Sequence, residues 1–174
     1  MIPITFDLVA SSGPELVLNE YTGANGIYVA RIPDDASKYR IIRLCEELGV
    51  QTEHDKLHVT VMYSKIAPPV GTEFGGGSTI TALCNALEVF VGHNGKKYLI
   101  MKLVTDDLIR EHARFLQAGA VHSFVPYSPH VTLVSDVDVT ADLESKIAVM
   151  NRQLALDPIY VVLINRSIAD LKED

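Results

Sequence analysis

The chain has 174 residues, 48% of them hydrophobic, and a formal charge of −7. That is enough for one domain, or for two small lobes sharing a core, and no apolar run approaches the roughly 20 residues needed to span a bilayer. The acidic balance argues against long nucleic acids, whose binding needs a broad basic surface, but not against a small anionic ligand held by a few local donors.

The opening Met1-Ile2-Pro3-Ile4-Thr5-Phe6-Asp7 lacks a basic region and carries Pro and Asp early, so it reads as a poor secretory signal. Residues 1–20 are expected to form a short strand or loop. Gly26–Ile32 reads as a strand bounded by Asn25-Gly26 and Pro33. A helix follows, capped by Asp34 or Asp35, with Tyr39, Ile42, Leu44, Cys45 and Leu48 at helical spacing until Gly49 ends it. Lys56–Tyr63 is the next expected strand. Residues 66–78 are rich in Pro and Gly. No Lys-Ser/Thr follows Gly75-Gly76-Gly77-Ser78 and no helix is expected to open there, so this is a linker or flap rather than a phosphate loop.

Residues 79–91 and 97–104 predict a β-hairpin turning at His93-Asn94-Gly95. Thr105-Asp106-Asp107 caps a helix to about Ala118, with Leu108, Ile109, His112, Phe115 and Leu116 recurring and Gly119 closing it. A loop over 120–128 leads to a strand from Pro129 to Ser135. Thr140 starts a helix carrying Leu143, Ile147 and Met150, and Ile159–Asn165 is the last expected strand, followed by a polar tail. Cys45 and Cys84 form no CxxC pair and are expected to be buried free thiols, as in a reducing cytosol.

One stretch occurs twice. His58-Val59-Thr60-Val61 returns 72 residues later as His130-Val131-Thr132-Leu133. Both copies are β-branched and extended, so side chains alternate between faces. His58 and Thr60 then share one face, and Val59, Val61 and Tyr63 the other; His130 and Thr132 stand likewise against Val131 and Leu133. A strand and helix precede the first copy, a hairpin and helix the second. The order predicts an α+β fold of two pseudo-symmetric strand-helix-strand lobes, with mainly antiparallel sheets around a central cleft, in one domain over 1–174.

With these two copies, the chain resembles the two-histidine phosphoesterase superfamily, whose members carry one His–apolar–Thr/Ser–apolar motif per lobe. Leu57–Ser64 and Tyr127–Leu133 are most similar to the bacteriophage proteins that degrade cyclic oligonucleotide messengers of the bacterial CBASS defence. The resemblance implies a phosphodiesterase with His58 and His130 as proton carriers and Thr60 and Thr132 as donors to phosphate oxygens. It implies a small cyclic oligonucleotide as substrate, in the host cytoplasm, with no membrane, long nucleic acid, metal or cofactor. The oligomeric state stays open. The chain has no Trp, so Tyr28, Tyr63, Tyr127 or Tyr160 would stack a base.

Histidine suits such work because its neutral and protonated forms coexist near neutrality. Lys56, two residues before His58, would share its face if the strand began there; it would then offset phosphate charge or simply pair at the surface. His54 stands four residues before His58, a metal-binding spacing on a helix, but His58 is expected on a strand and no Glu completes a zinc pattern. His93, His112 and His122 read as solvated or structural. Two other outcomes fit the same residues: a 2′,3′-cyclic phosphodiesterase acting on RNA ends, and a non-catalytic sponge that grips phosphate without cutting it.

Overall fold

The computed structural model describes residues 18–172. The segment Met1–Asp7, most of the expected N-terminal strand or loop, and the last two residues of the polar tail lie outside them. Among the described residues there are seven strands and three α-helices: β1 (Leu18–Glu20), β2 (Ile27–Pro33), α1 (Asp35–Leu48), β3 (Val59–Ser64), β4 (Ile80–Val91), β5 (Lys97–Val104), α2 (Asp106–Gln117), β6 (His130–Ser135), α3 (Ala141–Leu156) and β7 (Ile159–Asp170). A 3₁₀ turn, His54–Lys56, precedes β3. No helix among them is long and apolar enough to cross a membrane.

Local chemistry sets the helix ends. Asp34 accepts from the Ser37 N–H at 2.8 Å, Thr105 from Leu108 at 3.4 Å and Thr140 from Leu143 at 3.1 Å. Gly49 closes α1 in the left-handed conformation, at φ 73°. The buried stripe of α1 is Ser37, Lys38, Ile41, Leu44, Cys45 and Leu48. Expected Tyr39 is 64% exposed, because Ser37 turns inward to accept from the Val162 N–H and fixes the helix's rotation.

The fold is α+β, and the strands join in one sheet, β1-β7-β2-β3-β6-β5-β4, with β4 also paired to β7. All pairings are antiparallel except β1 with β7. The two expected strand-helix-strand runs, β2-α1-β3 and β5-α2-β6, are present, but their strands are hydrogen-bonded into this common sheet rather than into separate ones. Strand β7 makes that possible. It runs five residues past its expected end, pairing Ile159–Leu163 with β4 and Ser167–Ala169 with β1 along one edge, while β2 takes the other. An irregularity at Asn165, with φ 51°, lets so long a strand bend. Gly26 brings the start of β2 against the end of β3: a Cβ there would lie 2.1 Å from the Ser64 carbonyl oxygen, and φ is +118°.

Both cysteines are buried and free, and burial pushes their thiols up, to about 12 for Cys45 and about 11 for Cys84. The Gly-rich loop is anchored: Phe74 is buried and stacks on Phe115 at 4.6 Å, and the Gly75 carbonyl accepts from Arg166. β4 rather than a helix follows it. Beneath lies a charged core. Arg31 on β2 donates twice to Glu111 on α2, at 2.7 and 2.6 Å, with both side chains almost wholly buried; Arg166 lies 3.8 Å from the same carboxylate.

Removing one partner of a buried pair leaves an uncompensated charge. Glu111→Gln is expected to destabilise the fold by about 3–5 kcal/mol. Equilibrium denaturation checks this, and a loss below about 1 kcal/mol would count against the pairing.

Candidate active site

The site begins with one backbone pairing. Strands β3 and β6 register at Val59 and Val131 alone. Both valines are fully buried and face the core. Side chains alternate, so His58, Thr60, His130 and Thr132 all face the other way, and all four are half-buried. Antiparallel register around that pair sets residue 58 opposite 132 and residue 60 opposite 130. Each imidazole therefore has the other motif's threonine across from it, and the two imidazoles stand on a diagonal, about 7–8 Å apart at the backbone. The repeats 72 residues apart meet in one place.

Both imidazoles are held the same way. His58 Nδ1 lies 2.7 Å from the Lys56 carbonyl and His130 Nδ1 lies 2.8 Å from the Ser128 carbonyl, in each case two residues upstream. A carbonyl only accepts, so Nδ1 carries the proton and each Nε2 keeps its lone pair when the ring is neutral. Burial holds the His58 pKa below the ordinary histidine value; the hydrogen bond to Lys56 opposes this, and the charge of neighbouring His130 reinforces it. His58 is thus biased towards the neutral, proton-accepting form.

A β-bulge follows each threonine at the same place. Ala30 pairs with Thr60 and Val29 with Met62, so Val61 is the extra residue; Ile100 pairs with Thr132 and Leu99 with Val134, so Leu133 is the extra one. The first bulge corrects an expectation. Tyr63 does not share the inner face with Val59 and Val61 but turns to the histidine side, where its ring meets Tyr28 at 5.9 Å and Phe124 at 5.5 Å.

Tyr28 sits at the site: its hydroxyl is 3.1 Å from Thr60 Oγ1 and its ring is edge-on to His58 at 6.5 Å. Burial raises the Tyr28 phenol pKa, with the Thr60 contact opposing, so it stays protonated at neutral pH. Lys56 lies in the 3₁₀ turn, not on the strand as the shared-face expectation required, and it pairs with Glu53 at the surface. Tyr160 is exposed on β7, and Tyr127 packs behind β3 with its hydroxyl on the Thr60 carbonyl. His54 is exposed and pairs with Asp55, and among the described residues no three His, Cys, Asp or Glu side chains gather as a metal site.

Other neighbours were not singled out from the sequence. Lys102 pairs in register with His130 and holds Glu88 at 3.1 Å. Phe90 is edge-on to His130 at 6.2 Å and stacks on Tyr98 at 5.2 Å. The hairpin signal at Asn94-Gly95 pointed to them: alternation along β5 puts Tyr98, Ile100 and Lys102 on one face. His112 and His122 are buried behind β3, a structural role as expected, while His93 is exposed.

Comparison with known proteins adds a family. A family model described as "Anti-CBASS protein Acb1" matches residues 25–170. The chain is similar to the anti-CBASS protein Acb1 of Vibrio phage KVP40, 30% identical over 128 residues covering 71% of this chain and 81% of that one. It is 33% identical over 118 residues to the protein of the same description from Yersinia phage phiR1-RT, covering 67% of this chain and 75% of that one. The corresponding protein of Enterobacteria phage T4 is 29% identical over 116 residues, covering 66% and 74%.

The electrostatics of the pair can be tested directly. NMR titration should find His58 protonating below 6.5, and His130→Gln should raise that midpoint towards the ordinary value. The sign for stability follows. As pH falls through 6.5 the unfolded chain takes up this proton first, so the contribution of His58 is present above 6.5 and lost as pH drops towards the folded value. A His58 midpoint at or above 6.5 would contradict the burial.

Proposed function

We propose, from the premise that this chain belongs to the anti-CBASS protein Acb1 family, that its cleft hydrolyses small cyclic oligonucleotides and so blunts a CBASS signal in an infected cell. The observation that carries this reading is the crossed register of the two motifs, with each imidazole opposite a threonine and both Nδ1 atoms committed to carbonyls. The repeated bulges favour the two-histidine phosphoesterase assignment and its pseudo-twofold arrangement of lobes.

The chemistry proceeds as two proton transfers. For a 3′–5′ linkage, neutral His58 accepts the proton of the adjacent 2′-hydroxyl at Nε2. The 2′ oxygen attacks phosphorus, and the bond to the 5′ oxygen breaks. His130, as imidazolium, delivers its Nε2 proton to that leaving oxygen. The ring opens to a chain ending in a 2′,3′-cyclic phosphate. Water can open this in turn, with the two histidines exchanging roles. Each proton carrier typically contributes about 100- to 10,000-fold.

Thr60 and Thr132 stabilise the charge that gathers on the non-bridging oxygens. Where Tyr28 is the donor in its contact with Thr60 Oγ1, the threonine's own proton is left for the ligand. Lys102 supplies positive charge beside His130. Aromatic rings flank both sides, Tyr28 and Tyr63 near His58, Phe90 and Tyr98 near His130, which suits a compact ligand with more than one base.

Incubation with cyclic GMP–AMP in EDTA, followed by chromatography, should yield linear product. Intact bound ligand would instead indicate a sponge, and turnover confined to 2′,3′-cyclic ends would indicate RNA-end processing. His58→Ala and His130→Ala should each lose at least about 100-fold in turnover while remaining folded. Near-normal activity in either variant would end the paired acid–base scheme.

A further inference from the structure

Behind the site, three rings stand where a neighbouring strand would otherwise be. β3 meets β6 only at Val59, so the backbone groups beyond it on that edge need other partners. Tyr127 donates its hydroxyl to the Thr60 carbonyl at 2.9 Å. His112 Nδ1 lies 2.7 Å from the Val61 carbonyl and so carries the proton. The Tyr63 N–H donates to His122 Nδ1 at 3.1 Å. The loop adds a backbone bond, from Ser123 N–H to the Tyr63 carbonyl at 2.9 Å. Side chains from α2 and the 120–128 loop thus take up the bulge residue by residue.

The rings fix one another. His112 lies flat on Tyr127, with centroids 3.9 Å apart and planes 8° apart. His122 stands at right angles to both, at 4.8 and 5.5 Å. His112 and His122 are each 7% exposed, so neither ring can swing out to water without unpacking the loop. The two histidines hold opposite tautomers: His112 donates at Nδ1, while His122 accepts there and carries its proton at Nε2.

We propose that the His112–His122–Tyr127 cluster is a positioning device that holds the β3 bulge and thereby aims Thr60 and Tyr63 into the cleft. It touches no reacting atom and acts through the backbone of residues 60, 61 and 63. Straightening the bulge would return Tyr63 to the inner face and turn Thr60 away from Tyr28. Burial, with His112 nearby as the lesser cause, pushes the His122 pKa down to about 4, so its acceptor survives at neutral pH. Among the described residues, the titratable groups around this ring are His112 on α2, Tyr127 in the loop and Tyr63 on β3, with Glu111 facing Tyr127 from α2.

The inference deepens the reading of the cleft as a phosphodiesterase, and its test separates the two. His122→Leu removes the acceptor, whereas His122→Asn can present an amide oxygen near the Nδ1 position. With cyclic GMP–AMP as probe, His122→Leu should lower kcat/KM at least about tenfold and His122→Asn should restore it to within about threefold. Tyr127→Phe keeps the ring stack, loses only the hydroxyl on Thr60, and should lower kcat by about threefold or more; it carries the kinetic test if His122→Leu does not fold. Hydrogen exchange gives the reading that needs no turnover: the Tyr63 amide should lose protection in His122→Leu and regain it in His122→Asn. Wild-type kinetics in both His122→Leu and Tyr127→Phe would overturn the positioning role. If the wild-type protein binds cyclic GMP–AMP but leaves it intact, the phosphodiesterase reading falls. Amide exchange and ligand affinity then decide the inference, which unaltered values in His122→Leu, or in Tyr127→Phe if that variant does not fold, would overturn.

Discussion

The meeting of the two His-x-Thr motifs depends on the single backbone pairing of Val59 with Val131. It is the seam at which the strands of the two motifs touch. A longer ladder would bind the edges of β3 and β6 to each other along their whole length. A shorter contact would leave the two histidine motifs unrelated in space. One pair is enough to set the register, and register assigns each histidine its threonine, because a slip of one residue in either strand would send that strand's histidine and threonine into the core. The apolar pair faces inward without a polar group to satisfy, so hydrophobic burial fixes a polar constellation that has little intrinsic reason to assemble.

The seam has a consequence for the polar backbone around it. A strand with one open edge must satisfy its N–H and C=O groups some other way, since leaving one buried and unpaired costs about 1–3 kcal/mol. β6 pairs with β5 along its outer edge, on both sides of its bulge, from Lys102 opposite His130 to Tyr98 opposite Ser135. β3 keeps β2 on one edge and hands the other to His112, His122, Tyr127 and Ser123. Further behind, the Arg31–Glu111 pair ties β2 to α2, the same helix that carries His112. The helix that supports the first motif is thus fastened to the strand beside it by a charge pair that would be costly to break.

Much of this was legible in the residues. The caps at Asp34, Thr105 and Thr140 declared the helices because their oxygens do one local job. The Asn94-Gly95 turn declared the hairpin, and the doubled His-x-Thr marked the two strands that meet at Val59 and Val131. What stayed hidden was set by tertiary contact. A bulge at Val61 leaves no mark on the alternating pattern, so Tyr63 was placed on the wrong face. The helical spacing did not point to Glu111, which is buried against Arg31, and Ile109 and Leu116 read as core although both are exposed. Lys56 looked like a strand residue, but the chain makes one tight turn there and enters β3 only at Val59. The extra length of β7 was missed because its last five residues, Arg166–Asp170, include two charged ones.

The same four-residue motif therefore ends in two unlike environments. His58 sits beside the Tyr28 ring, which meets Tyr63 and through it Phe124, and burial disfavours its charge. His130 sits beside Phe90, with Lys102 and its partner Glu88 along the neighbouring strands. Both imidazoles make the same kind of Nδ1 hydrogen bond to a carbonyl two residues upstream, so that bond does not distinguish them. Aromatic rings flank both histidines, and the lysine–glutamate pair stands only on the His130 side. Burial is the main cause that disfavours charge on His58, and the nearby His130 adds to it. Two copies that share their histidine, valine and threonine thus acquire different surroundings through their neighbours.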